Sequence, residues 1–402
     1  MPPARRPFDI VHVAHTSFPD DPRPRREAMV AAETGRRVAI IVLQDGRDPR
    51  PVGHRGRVVV VRLPGRRRRG SLAKYVVEYT DFLLRVHALF RRDSRFRNAR
   101  VVHVHTLPDF LIGGVRPALR RGARAILDLH EIFPEFTRSK FGGAAGALAE
   151  RIALILERWS RRQADVTITV NRPIAAALRA REARPGERIE VIHNLTDPAE
   201  FGPLRSPTGE AGRPLRLVYH GTLTAMYGLD LAIAAVDAAR EGGLEVELDL
   251  YGGGPAVPAL EAQIARLGLG GQVHLRGTLT HDQLRERLTA YHAGLVPTRL
   301  NVMTRYSLST KLLEYIHLGI PIIAPRIPTY LEYFPEECGW YFTPDDAGDA
   351  ARAIAAFAAA TPGARIERAR AAQAAAGGLR WADDAARLRT LYEELLAESQ
   401  PR

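Results

Sequence analysis

Short apolar, β-branched runs alternate with helix-length amphipathic stretches along nearly all of this sequence, and no other feature restricts the fold as much. In the first half the runs are Phe8–Ala14, Arg37–Leu43, Val58–Leu63, Ala99–His103, Ala125–Leu129, Asp165–Val170 and Ile189–His193. Near-continuous apolar runs have no solvent face, so the sheet they build must be covered on both sides, the condition of a parallel α/β sheet. Between them, Leu72–Phe90 predicts a helix with Leu72, Tyr75, Val76, Tyr79, Leu83, Val86 and Phe90 on one face. A polar, Pro/Gly-rich stretch from Pro198 to Pro214 breaks the rhythm and reads as a linker. The alternation restarts with Leu215–His220, Val246–Leu250, Val273–Arg276, Gly294–Pro297, Ile320–Ala324 and Trp340–Phe342.

The fold class is therefore α/β, with two Rossmann-like, doubly wound parallel-sheet domains expected to face each other across a cleft. The 402 residues suffice for two cores. Residues 1–197 form the first domain, 198–214 the linker and 215–380 the second domain. Residues 381–402 hold a last helix with Leu388, Leu391, Tyr392 and Leu395 at helical spacing. No strand follows it, so it is expected to pack back on the first domain. In doubly wound sheets ligands bind beyond the carboxyl ends of the strands, at the point where the strand order reverses.

Composition removes several alternatives. With 46% hydrophobic and 26% charged residues the chain is globular, not disordered. A single cysteine, Cys338, excludes an intramolecular disulfide and a cysteine metal cluster, and suits a reducing, cytoplasmic location. Cys338 itself reads as a small residue near a strand start. No run approaches the roughly 20 apolar residues that span a bilayer. Behind Arg5 and Arg6 the apolar run is short and is interrupted by Asp9 and His12, so it reads as a first strand and not a signal peptide. The net charge of +13 is uneven: residues 1–200 carry 38 Lys+Arg against 22 Asp+Glu, a net of +16, and the rest carry 20 against 23, a net of −3. With its Arg66–Arg69 run, the basic half suits an anionic membrane, a phosphorylated acceptor or nucleic acid, or reflects an arginine-rich composition.

The densest chemical signal lies in Tyr306-Ser-Leu-Ser-Thr-Lys311-Leu-Leu-Glu314-Tyr-Ile-His-Leu-Gly319-Ile-Pro321-Ile-Ile-Ala324. It reads as polar loop, helix, glycine stop and buried strand. Ser307 to Thr310 can cap the helix, whose first turn presents free N–H groups to a phosphate. Lys311 in that first turn opposes the helix dipole, so helix stability does not explain it and anion binding does. Glu314, three residues on, can accept hydrogen bonds from vicinal hydroxyls such as those of a ribose. The plainer alternative is an exposed helix pair worth a few tenths of a kcal/mol.

This segment resembles the donor-binding signature of the retaining glycosyltransferases of family 4, whose fold is called GT-B. Their common pattern is Glu-x(7)-Glu followed by an Ala/Gly-x-Gly-x-Pro strand entry. Glu314 matches the second glutamate, which the resemblance makes the ribose ligand. Tyr306 stands where the first would contact the donor sugar, so the chain is a variant lacking it. A Ser-x-x-x-Lys-x-x-Glu-Tyr version of the pattern fits Ser307, Lys311, Glu314 and Tyr315. Lys311 then serves the diphosphate as a catalytic charge.

Tyr219-His-Gly221-Thr222-Leu-Thr-Ala-Met-Tyr227-Gly228 resembles the family's diphosphate loop, Gly-Arg…Lys-Gly. Both glycines match, but Thr222 and Tyr227 replace the cations. Neutralisation is therefore expected from Lys311, with Arg299 and Arg305 as loop candidates whose plainer reading is solvated surface. Gly252-Gly253-Gly254-Pro255 resembles the family's Gly-x-Gly-Pro turn, and Gly277 with Thr278 occupies the stretch whose backbone meets the base. Donor-binding expectations are thus Gly221, Thr222, Gly253, Gly277, Arg299, Arg305, Ser307, Thr310, Lys311 and Glu314.

In the first half, His103-Val-His105-Thr-Leu-Pro-Asp109 and Asp128-Leu-His130-Glu131 sit at strand carboxyl ends. The second resembles the family's His-Glu, which makes His130 the catalytic contact to the transferred sugar. His103 reads as a strand histidine. On the acceptor side stand His105 and the loop after the first strand, Phe18 to Glu27, with Arg23, Arg25 and Arg26 available to an acceptor phosphate. The His, Asp and Glu residues lack the helical i, i+4 spacing of a metal pair, and the family needs no ion, so neither metal nor cofactor is expected.

No residue stands out as the second carboxylate that retaining glycosidases use as nucleophile. The resemblance implies instead a front-face displacement in which the leaving phosphate deprotonates the acceptor hydroxyl. The expected activity is transfer of a hexose-type sugar from a nucleotide-sugar to a glycan, lipid-linked or small-molecule acceptor. Peripheral contact with an anionic membrane is expected through the basic half. A nucleotide-sugar epimerase of the same architecture is the rival enzyme. A nucleic-acid-binding protein is the non-enzymatic rival, and no such motif is present.

Overall fold

A computed structural model describes residues 6–19, 21–44, 52–65, 72–141, 143–195 and 201–399. Asp20, the Arg66–Arg69 run and residues 198–200 of the linker lie outside the described residues. The chain divides into two compact units, one of residues 1–194 with 382–402, the other of residues 195–381.

The first unit is built on an eight-stranded sheet in the order β3-β4-β2-β1-β5-β6-β7-β8. Its strands are β1 Ile10–Ala14, β2 Val38–Leu43, β3 Val52–Arg55, β4 Val58–Leu63, β5 Val101–His105, β6 Arg124–Leu129, β7 Val166–Thr169 and β8 Arg188–Val191. All pairs are parallel except β3 with β4. β1, β2, β5 and β6 are buried along nearly their whole length, as covering on both faces requires. The order reverses beside β1, whose neighbours are β2 and β5, so the switch point lies at the ends of β1 and β5.

The structure departs from the sequence pattern at three places here. The antiparallel edge strand β3 was not foreseen, because Val-Gly-His-Arg has no apolar run; it pairs with β4. β5 begins two residues later than Ala99–His103, because residues up to Arg97 finish a short helix, and His105 thereby joins the strand. The helix Leu72–Arg92 buries Phe82, Val86 and Phe90, whereas Val76 is 52% exposed, so its early apolar residues do not continue the core stripe.

The helices used below are α1 Pro22–Glu33, α2 Leu72–Arg92, α3 Phe133–Phe141, α4 Gly143–Gln163, α5 Leu229–Glu241, α6 Thr310–His317 and α7 Trp381–Glu398. Helix α7 buries Leu388, Leu391, Tyr392 and Leu395. Within the first unit the Tyr392 hydroxyl meets His103 Nδ1 at 2.8 Å, and the Asp384 carboxylate accepts from the His193 N–H at 2.9 Å.

The second unit is a six-stranded, all-parallel sheet in the order β11-β10-β9-β12-β13-β14. Its strands are β9 Leu215–His220, β10 Val246–Tyr251, β11 Val273–Gly277, β12 Ala293–Leu295, β13 Ile322–Pro325 and β14 Trp340–Phe342. Alternate side chains of β9 enter opposite layers: Leu217 and Tyr219 pack with Ile233 of α5, and Val218 packs with Leu312, Tyr315 and Ile316 of α6. Cys338 is buried, and that burial pushes its thiol up to about 11. The reversal of strand order beside β9 again marks where a ligand should sit.

Candidate active site

In the second unit a cavity of about 570 Å³ opens at the carboxyl ends of β9, β10 and β11 and at the start of α6. Strand β9 ends in His220-Gly221-Thr222 and β10 in Tyr251-Gly252-Gly253, and both lips line the cavity. Backbone bonds lock these lips together: Gly221 N–H donates to Tyr251 O at 2.9 Å, and Gly252 N–H donates to Gly277 O at 2.7 Å. Only glycine fits at two of these positions. Gly221 (φ 121°) and Gly252 (φ 140°) take backbone conformations that side chains disfavour, and a Cβ would strike Lys311 Cε at the first and Gly221 O at the second.

Helix α6 starts after Ser309, whose side chain makes no cap bond, and its first turn carries no acidic residue. Thr310 and Lys311 of that turn line the cavity, so the free N–H groups of the first turn and the lysine charge are presented together. The Lys311 ammonium lies 4.2 Å from the Tyr227 ring centroid and 5.5 Å from that of Tyr219. Tyr227, which stands where the resembling family has a lysine, thus supplies a π face that steadies the cation. Burial holds the Lys311 amine below its ordinary value, with Glu314 pulling the other way. One turn on, Glu314 faces the cavity and meets His220 Nε2 at 3.1 Å. The Tyr315 hydroxyl donates to Val218 O at 3.1 Å and ties α6 to the middle of β9.

Of the ten donor-side residues predicted from sequence, Gly221, Thr222, Gly253, Thr310, Lys311 and Glu314 line this one cavity, and Gly277, Arg299, Arg305 and Ser307 do not. Gly277 contributes its carbonyl to Gly252 instead. Arg299 is held by Asp230 at 2.5 Å and Asp345 at 2.8 Å, two carboxylates far from it in sequence, so its charge is already balanced. Arg305 stacks 5.2 Å from the Tyr306 ring, and Ser307 closes the turn that contains both. Sequence reasoning missed His220 and Tyr251. Their position at strand carboxyl ends was the available signal.

In the first unit a smaller cavity of about 320 Å³ opens at the ends of β1, β5 and β6, lined by His15, Glu78, His105, His130 and Glu131 among others. The buried Asp128 carboxylate organises it. Its Oδ2 accepts from Arg23 Nε at 2.9 Å and lies 2.9 Å from His105 Nδ1 and 2.7 Å from His130 Nε2. Arg23 and these histidines hold Asp128 well below the usual carboxylate range. With one nitrogen fixed on Asp128, the His130 ring has its orientation set, as an acid–base or sugar-contacting histidine requires.

His130 and His105 therefore line a common cavity, but the arginines expected beside them do not. Asp21 caps α1 and turns Arg23 and Arg26 inward. The Arg23 guanidinium is buried on Asp128, Glu27 and Ile192 O. Arg26 donates to Asn194 at 2.8 Å. Arg25 is half-buried and does not line the cavity either. A buried arginine cannot serve a solvent-borne phosphate, so the expectation for Arg23 is corrected to a structural role.

Among the described residues, donor atoms for a metal gather in this region, where His12, His103 and His105, or Glu27, His103, His105 and Asp128, lie with ligand atoms within 4.8 Å of one another. Arg23 bonds both carboxylates, so a cation there would compete with a fixed positive charge. Burial and mutual repulsion also hold His12 and His103 well below the ordinary histidine value.

Each sheet thus places a cavity at its switch point, and the chain has the two-domain GT-B fold. Residues 25–200 match the family model described as Glycosyltransferase Family 4, and residues 214–359 match the one described as Glycosyl transferases group 1. Both are models of glycosyltransferase families, one over each half of the chain. Alpha-D-kanosaminyltransferase of Streptomyces kanamyceticus is 24% identical over 185 residues, 44% of this chain and 46% of that one. The chain spans about half the length of the curated relatives it matches. Among solved structures, sucrose-phosphate synthase from Thermosynechococcus elongatus has a TM-score of 0.76 at 19% identity, covering 98% of this chain and 100% of that one. Anabaena HepE in complex with UDP has a TM-score of 0.64 at 16% identity, covering 97% and 100%. Among the described residues no helix is long and apolar enough to cross a membrane.

Proposed function

We propose that the chain is a retaining, metal-independent glycosyltransferase that moves a hexose-type sugar from a nucleotide-sugar to an acceptor hydroxyl on a glycan, a lipid or a small molecule. One observation carries the reading: Lys311, the first turn of α6, the Gly221 lip and Glu314 all line one cavity. That set answers the chemistry of a leaving nucleoside diphosphate, on which charge builds as the glycosidic bond breaks. Lys311 and the free N–H groups take the diphosphate, and Glu314, held by His220, takes the ribose hydroxyls. His130, set by Asp128, contacts the transferred sugar. The leaving phosphate takes the proton of the acceptor hydroxyl, so positioning and charge stabilisation are the protein's whole contribution. The presence of UDP in the HepE structure supports a nucleotide donor. The proposal includes a cytoplasmic site of action and peripheral contact of the basic half with anionic lipid.

The test is a thermal-shift screen across nucleoside diphosphates and nucleotide-sugars, followed by donor hydrolysis and transfer assays. Lys311→Ala is expected to lower turnover about 100-fold, as loss of one transition-state charge contact does. Glu314→Gln is expected to weaken donor binding roughly 10-fold with a smaller effect on turnover, as loss of a charge-assisted hydrogen bond does. Rates and affinities unchanged by both substitutions would sink the site.

A further inference from the structure

A second cavity in the first unit, about 120 Å³, runs between α2, α3 and α4 and is lined almost wholly by apolar atoms. Its floor is built of Phe133, Ala149 and Ala153, all buried, and at its mouth Val76 is 52% and Ile152 50% exposed. The Thr137 hydroxyl beside it already donates to Pro134 O at 2.8 Å. Nothing in the lining selects a polar group, so the cavity suits hydrocarbon.

Its position says which hydrocarbon. Tyr75 and Tyr79 line both this groove and the polar cavity that holds His130. The Tyr79 ring stands edge-on to His15 at 5.0 Å on the polar side and to Phe110 at 6.5 Å on the apolar side. A molecule with its hydroxyl among the polar groups has only this aromatic wall to pass before its next atoms meet the groove. A flat bilayer would touch the exposed Val76 and Ile152 but could not reach Ala153, which is 1% exposed. A single chain can.

We propose that this groove holds the aliphatic chain of the acceptor, so that the acceptor is an amphiphile with a hydroxyl-bearing head. The inference rests on the glycosyltransferase reading for the role of that head.

The test measures binding of methyl, n-butyl and n-octyl β-D-glucopyranoside to the full chain by calorimetry, below micelle-forming concentrations. Affinity is expected to rise by about fourfold per added methylene until the groove is full, the step that burial of one CH2 gives. Ile152→Glu, a half-exposed site tolerant of charge, should remove most of that rise, and Ala153→Phe, which fills the groove, should do the same. Equal affinity along the series overturns the proposal, as does a rise that survives both substitutions. Loss of co-sedimentation with phosphatidylcholine vesicles in Ile152→Glu, with the soluble series unchanged, overturns it in favour of a bilayer. The two readings fail separately. A flat series in a protein that still binds nucleoside diphosphates removes the groove alone, and the expected series in one that binds no nucleotide leaves the groove and removes the transferase.

Discussion

Lys311 shows how a neighbour decides what a side chain can do. The sequence placed a cation where the helix dipole opposes it, and the structure adds the Tyr219 and Tyr227 rings that hold it. Burial between them lowers its affinity for a proton below the ordinary lysine value of 10.5. A bound diphosphate favours the charged form, so binding raises that value again. Affinity for a nucleoside diphosphate should then be constant near neutrality and fall as pH rises through the free-protein value, earlier than for an ordinary lysine. Titrations from pH 7 to 10 should show this decline in the parent chain and a lower, flat line in Lys311→Ala. Other residue-scale facts had no sequence signal. Arg23 and Asp128 are 105 positions apart, and nothing local says that they form a buried bidentate pair. Arg299 looked free for the same reason, since Asp230 and Asp345 are remote in sequence.

At the scale of elements the strands were legible because each carries its own evidence of burial. β9, for instance, reads Leu-Arg-Leu-Val-Tyr-His and falls at the predicted residues. β3 was not, because an edge strand needs no apolar run. The approach of one element to another is also invisible in a linear pattern, and β12 against α6 is the case that matters. At Gly294 of β12 a Cβ would collide with the Tyr315 ring, whose hydroxyl bonds β9. Gly294→Ala is therefore expected to cost about 1–3 kcal/mol through overpacking. Because α6 carries Lys311 and Glu314, donor binding should weaken with stability. Tyr315→Phe, which removes only the hydroxyl, should cost about 1 kcal/mol. Urea melts paired with nucleotide titration separate the two.

At the scale of the molecule, the amphipathic pattern of the last helix was plain in sequence, but its anchoring was not. Asp384 accepts from the His193 N–H at 2.9 Å and lies 3.0 Å from His193 Nδ1, and Arg389 pairs with Glu33 at 2.9 Å. Asp384→Ala is expected to cost the first unit about 1–3 kcal/mol by leaving buried donors without their acceptor. Hydrogen exchange should show faster opening in β8 and α7, while the nucleotide-induced protection of the second unit stays as it was. Equal loosening of both units would refute this assignment of the helix.

The same helix sets an order of events during synthesis. The second unit, residues 195–381, has all its strands before α7 is made, whereas the first unit lacks Tyr392 and Leu388 until the chain has grown past the whole of the second. Domains generally fold as they emerge, the N-terminal one first. Here the unit begun first is the one finished last, and the sheet bearing His12 and His103 stays with one flank bare until the second unit has been made.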